Sequence, residues 1–501
     1  MKKLCLCLLV LTGCAAVPPT PADVADDARV VNRLTWGLNG ADLHAVRTQG
    51  LDAWIAAQLH PAPARLPAAV QARIDAMTIS RRPLEDLNRD LEQRRKDADK
   101  IVGDEDKKAA QKAYQDELNR LAREAATRSL LRDLYSSDQV QEQMTWFWVN
   151  HFNVHQYKHN LRLMLGDYED RAIRPRALGK FRDLLAATVY HPAMLRYLDN
   201  EQNAAGHLNE NYARELMELH TLGVDGGYSQ RDVQELACIL TGVGVNLGTT
   251  EPRVRRERQA QYRHQGLFEF NPERHDYGDK VLLGQPVHGR GLAEVDEALD
   301  RLARHPSTAR FISRKLAAFW VGDAPPGALV QRMAATFTAS DGDIAAVLRV
   351  LFTSAEFHAS LGHQFKDPVH YVVSAVRLAY GDKTILNAGP MLNWLNRMGQ
   401  PPYGKQTPDG YPLTAAAWDS PGQLNVRFEI ARAIGTGNAG LFKTDGPQPQ
   451  EQPAFPQLAN ALYYQSIESR LAAGTRHALE QATSPQEWNS FLLSAPDMMY
   501  R

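Results

Sequence analysis

From Val30 almost to its end, the chain sets its apolar residues at three- and four-residue spacing, the period of a helix with one buried face. VVNRLTWGLNGADLHAVRTQGLDAWIAAQL shows the pattern at once, with a helix start at Gly40. It returns over 167–200, 293–360 and 365–381. His191-Pro192 and His305-Pro306 each read as a helix start with proline in the first turn. Strands are expected only in 266–291, GLFEFNPERHDYGDKVLLGQPVHGRG. There Leu267-Phe268-Glu269-Phe270 alternates, and Val281-Leu282-Leu283-Gly284 is expected to pair with it around a turn rich in Asn, Pro, Asp and Gly. The expected class is mainly α: a large multi-helix body with a small β-hairpin element near 266–291.

A chain of 501 residues exceeds one small core, so the helical body is expected to span 28–445. Within it, 80–138 reads as a charged helical pair broken near Gly103, and 144–291 holds most of the chemistry-bearing side chains. Residues 446–501 read as a proline-rich linker and a final helix. The net charge of −1, without a basic patch, excludes nucleic acid as a partner.

The first residues are a leader. Lys2-Lys3 precede an apolar run from Leu4 to Leu11, too short to span a bilayer, and Leu11-Thr12-Gly13-Cys14 follows. This end resembles the bacterial lipoprotein box. The resemblance implies a signal peptide over 1–13, a lipidated Cys14 as mature N-terminus and a tether over 14–27. Ala15 after the cysteine favours the outer membrane, facing the periplasm. Of four cysteines, only Cys238 remains in the folded body, amid Leu-Ala-Cys-Ile-Leu, so it reads as a small buried residue.

The densest set of reactive side chains lies in 200–242, NEQNAAGHLNENYARELMELHTLGVDGGYSQRDVQELACILTG. Asn209 is the expected N-cap of a helix whose polar arc carries Glu210, Asn211, Arg214, Glu215 and Glu218, and whose apolar arc carries Tyr212, Ala213, Leu216, Met217 and Leu219. Glu210–Arg214 and Arg214–Glu218 stand at i,i+4 spacing. Gly223 closes the helix, and Ser229 opens the next with a capping box to Asp232. Elsewhere MTWFWVNHF places His151 beside a large aromatic load, and His151, His155 and His159 would align on one helix face. Neither His-Glu-x-x-His nor Glu-x-x-His occurs, so no metal and no cofactor are expected. The turn in 266–291 adds His275, Asp276 and Lys280. The loop GQPPYGKQTPDGYPLTAAAWDSPGQL over 399–424 adds Tyr403, Tyr411 and Trp418, rings suited to cover a binding surface.

WFWVNHF, DYEDRAIRPRALGKFRDLL, HPAMLRYLDN, NENYARELMELHTLGVDGGYSQRDVQELACILTG, HDYGDKVLLG, KDPVHYVVSAVR and GQPPYGKQTPDGYPLTAAAW together resemble the bacterial domain-of-unknown-function family 1800. The resemblance implies a mainly helical, exported protein. It also implies gene neighbours that look like secreted sulfatases and phosphatases, but no reaction. Two expectations follow. One is an envelope scaffold that binds a polysaccharide or an exported sulfatase- or phosphatase-like protein, through Asn211, Arg214, Lys280, Tyr403, Tyr411 and Trp418. The other is a hydrolase of a polysaccharide or sulfated glycan, with Glu215, His151, His275 and Asp276 as acid–base groups.

Overall fold

Two charge-laced helices, Leu84–Lys100 and Asp104–Tyr135, form the pair expected over 80–138, with Gly103 in the break. Their outer sides carry close ion pairs such as Lys112–Asp116 at 2.6 Å and Arg95–Glu92 at 3.0 Å. Each contributes a few tenths of a kcal/mol at most, roughly 0.2–0.5. The second half of the longer helix turns inward, burying Leu118, Leu121, Leu130 and Leu131. The computed structural model describes residues 21–62, 66–248, 250–443 and 455–501. The leader, Cys14, the first part of the tether and the linker over 446–454 lie outside the described residues.

One continuous apolar cluster runs from Ala28 to Met499 and joins most of the helices, and a small second cluster gathers Val70, Ile74, Met77 and Leu131. The protein is mainly α, with two small antiparallel sheets. Strands β1 (Val243–Val245), β2 (Arg263–Gln265) and β3 (Phe268–Phe270) pair in the order β1-β3-β2. Strands β4 (Lys280–Leu282) and β5 (Gln285–Val287) form a hairpin of their own. The two apolar runs expected to pair with each other therefore do not. Leu283 and Gly284 both adopt positive φ, 51° and 75°, which closes a two-residue turn and folds 280–282 back onto the residues just after it.

His191 and His305 both open helices, each with Nδ1 accepting from the backbone N–H two residues on and proline at the first helical position. After the linker there are three helices, Ala461–Ser466, Ala473–Glu480 and Pro485–Ser494, where one was expected. Ser484 caps the third, and Pro485 cannot continue the helix before it. No described helix is long and apolar enough to cross a membrane.

Candidate functional site

The aromatic helix, Gln139–His151, organises the site. Phe147 and Trp148 are buried, and the Trp148 indole donates to Ala177 O at 2.8 Å. The helix ends at His151, with Phe152 at φ −101°, ψ 52°. His155 and His159 thus lie beyond it, and the three histidines do not share a helix face. No group of three or more His, Cys, Asp or Glu side chains among the described residues is placed to hold a metal.

His151 is buried with one partner on each ring nitrogen. Nε2 lies 3.1 Å from His220 O, a carbonyl that can only accept, so Nε2 carries the proton. Nδ1 then offers its lone pair to Lys315 Nζ at 2.8 Å. Burial and the Lys315 charge hold His151 well below the ordinary histidine range, so the ring is neutral. Burial pushes the half-buried Lys315 amine down to about 8, against the pull of Asp409. Behind this pair sits His220, 1% exposed, with no partner on either ring nitrogen among the described residues and its pKa pushed down to about 3 by burial.

A second network lies against the other flank of the aromatic helix. Tyr168–Ile173 is wound as a π-helix, a form concentrated at functional sites. It turns Glu169 inward, where Oε2 accepts a 2.5 Å bond from the Tyr403 hydroxyl. The Arg174 guanidinium pairs with Glu142, Glu169 and Asp170, and Arg128 and Arg132 also pair with Asp170. Burial and neighbouring carboxylates raise Glu169 and Asp133, in Asp133 well above the usual range. Both line a cavity of about 50 Å³ with Asn150, Asn153 and Tyr403. That is far below the roughly 300 Å³ at which ligand pockets begin, and suits a water or two.

The loop over 399–424 is fastened to this helix by its backbone. The Asn150 amide grips Tyr411 in both directions, Nδ2 to O at 3.0 Å and N to Oδ1 at 2.6 Å. Asn153 Nδ2 donates to Lys405 O and Thr407 O at 3.0 and 2.8 Å, and the Tyr197 hydroxyl donates to Gln406 O at 2.8 Å. Gly410 sits at φ +77°, and a Cβ there would fall 2.1 Å from Asn150 O, so only glycine fits. Tyr403 and Trp418 are buried and Tyr411 is half-buried, its hydroxyl on Pro401 O. The three rings expected to cover a ligand point into the protein, and the loop exposes Gln406, Thr407, Asp409, Thr414 and Asp419, along with Ala416, Ala417 and Leu424.

His275, Asp276 and Lys280 belong to a different, closed network. His275 Nδ1 lies 2.8 Å from Thr241 O, and Nε2 lies 2.9 Å from Glu294 Oε1. Glu294 Oε1 also accepts from Arg290 N and Gly291 N, while Oε2 pairs with Lys280 Nζ at 2.6 Å. Lys280 also donates to Asp276 O. His275 and Lys280 thus tie the segment leading into β4 to the start of the Leu292–Arg304 helix. Hydrogen bonds to His275 and Lys280 hold the Glu294 carboxyl below its usual range. Among the described residues, no hydrogen bond or ion pair joins this network to His151 or Glu215.

The Asn211–Glu218 helix starts later than the sequence implies: Glu210 occupies the cap position, and Asn209 Oδ1 accepts from Asn211 N at 3.0 Å. Its arcs fall as expected, with Tyr212, Ala213, Leu216 and Met217 buried. Arg214 pairs with Glu210 at 3.0 Å, yet its other partner is Gln230 and not Glu218. Asn211 Nδ2 donates to Leu198 O. The Ser229–Asp232 capping box forms in both directions. Glu215 is half-buried, its carboxyl raised by burial, Glu218 and the loop's Asp409, and it makes no side-chain hydrogen bond among the described residues. Cys238 is half-buried with a free thiol.

A family model described as "Protein of unknown function (DUF1800)" matches residues 29–500. The chain belongs to the DUF1800 family. No curated protein and no solved structure matches it. In this DUF1800 chain the groups brought together are His151, Lys315 and His220, and separately Glu169, Asp133 and Tyr403. Lys315 had a legible signal: it stands between Phe311 and Phe319 at i,i+4 spacing, a charge on an apolar arc. Glu169 had none, because its inward turn depends on the π-helix.

Proposed function

We propose that the protein is a lipid-anchored binding protein of the bacterial cell envelope, held by Cys14 at the outer membrane. Its ligand is an extracytoplasmic polymer such as a polysaccharide, or an exported partner enzyme of the sulfatase- or phosphatase-like kind. The binding surface is the polar outer side of the 399–424 loop, joined to the solvent arc of the Asn211–Glu218 helix. One observation carries this reading: Asn150, Asn153 and Tyr197 clamp the loop backbone onto buried elements at four successive places. A surface fixed in advance gives up little entropy on binding. The hydrolytic alternative needs Glu215, His151, His275 and Asp276 to act on one bond. His275 instead spends both ring nitrogens inside the closed Glu294 network.

The test is affinity electrophoresis of the mature protein through gels containing acidic or neutral polysaccharides. Retardation by at least one polymer is expected, reduced in Arg214→Ala without a fall in Tm. If no polymer and no exported sulfatase- or phosphatase-like protein binds, the reading fails. A second reading retains one observation of its own: Glu215, without a hydrogen bond among the described residues, is a carboxyl raised by burial and by Glu218, with Asp409 of the loop also acting on it. Release of reducing ends, abolished by Glu215→Ala with the fold intact, would put that carboxyl pair, without His275 and Asp276, at the centre of a glycan hydrolase.

A further inference from the structure

The strongest unassigned site lies in a cleft of about 520 Å³ bounded by the first described helix, the 361–366 turn and the C-terminal segments. Lys366 lines it. The residue is 3% exposed, yet its ammonium has no hydrogen-bond or ion-pair partner among the described residues. Around it the other cations are committed. Arg427 donates to Lys366 O at 2.6 Å and stacks over Phe365 and Tyr371, and Arg501 is held by Gln143, His370 and Phe319 O. The acids of the cleft are committed too. Asp497 accepts from Ala472 N and the Thr475 hydroxyl, and Asp26 pairs with Arg29 at 3.6 Å. Among the described residues, no carboxylate of the cleft pairs with the Lys366 ammonium.

An unpaired charge in this position has two resolutions: lose the proton, or take a counter-ion. Burial, with Arg427, Arg501 and Arg470 close by, pushes the Lys366 amine down to about 7, so the charged form is held in reserve at neutral pH. The cleft is large enough for a ligand, and it carries Arg470 at the rim, without an ion pair among the described residues, its guanidinium pushed down to about 10 by partial burial and Arg29 against the attraction of Asp26. We propose that this cleft is an anion-binding site in which Lys366 and Arg470 take a sulfate, phosphate or carboxylate group. Lys366 would supply a point charge from below and Arg470 a planar fork from the rim. The site is separate from the 399–424 loop surface and stands or falls without it.

The experiment is calorimetric titration of the protein with sodium sulfate, inorganic phosphate or sodium acetate at constant ionic strength, slightly below neutral pH, with sodium chloride as the reference. Saturable binding of at least one oxyanion is expected in the wild type, lost in Lys366→Met and weakened severalfold in Arg470→Ala. The ranking of sulfate, phosphate and acetate separates a tetrahedral ligand from a planar one. Lys366→Met removes an unpaired buried charge, so its fold is expected to hold, and a thermal melt checks this. Should Lys366→Met fail to fold, Arg470→Ala at the rim decides. Wild type that binds no oxyanion beyond chloride, or variants that bind as well as wild type, would overturn the assignment.

Discussion

Lys315 Nζ donates a 2.8 Å hydrogen bond to Nδ1 of His151, so a cation at the protein's edge is supported by a neutral ring inside it. The amine is held down to about 8, below its value in the unfolded chain. Between about pH 8 and 10.5 the unfolded chain therefore binds a proton that the folded one has released, and stability rises with pH across that window. Lys315→Met lacks this term. The Tm of wild type relative to the variant is expected to climb from about pH 7 to about pH 10. A difference that stays flat would give Lys315 an ordinary amine.

Among the described residues neither ring nitrogen of buried His220 has a partner, and each such group costs about 1–3 kcal/mol. His220→Leu is expected to raise stability by about 1–2 kcal/mol at neutral pH, read from denaturant unfolding. Acid widens the gap. His220 is held at about 3, His370 at about 4 and His151 well below the usual range, so all three stay neutral when folded. Their stability contribution is present above about pH 6.5 and declines below it by roughly 1.4 kcal/mol per pH unit per histidine. The variant should lose one such increment. A destabilised His220→Leu would mean that a ligand or a second state uses those nitrogens.

The helical class, the charged pair and the polar and apolar arcs of the Asn211–Glu218 helix were legible because each rests on local periodicity. What was not legible depends on distant partners. Phe268–Phe270 pairs with Val243–Val245, and alternation alone does not name that partner. His275 looks like a loop histidine until Glu294, nineteen positions away, fills its Nε2. By their loop setting alone, Tyr403, Tyr411 and Trp418 suggest a display, because aromatic loops often are one. Asn150, more than 250 residues earlier, turns the loop over and puts those rings inside.

The Tyr403–Glu169 bond ties that loop to a buried charge network, so removing its parts should have unequal effects. Tyr403→Phe deletes one hydrogen bond to a carboxyl that keeps Arg174, an expected loss of about 1.5–3 kcal/mol. Arg174→Met strands Glu142 and Glu169 in the interior, and a loss of about 3–5 kcal/mol or failure to fold is expected. In a double-mutant cycle, Tyr403→Phe with Glu169→Gln should show coupling above about 0.5 kcal/mol. Additive effects would mean that the two side chains do not support each other.

The Asn150 clamp gives the most direct measure of whether the 399–424 surface is fixed in advance. Asn150→Ala removes both bonds to Tyr411 while leaving the Asn153 and Tyr197 attachments in place. Lys405, half-buried in the clamped loop, then becomes reachable by trypsin. Limited proteolysis should cut the variant after Lys405 at least tenfold faster than wild type, since loss of two hydrogen bonds of about 1 kcal/mol each opens the loop by more than an order of magnitude. Gly410→Ala should act the same way, because its new Cβ drives against Asn150 O. If the loop is a preformed binding surface, both variants also lose polymer or partner affinity while the body keeps its Tm. Equal cleavage rates in wild type and variants would mean that the loop is already open, and the rigid-surface argument for binding would go with it.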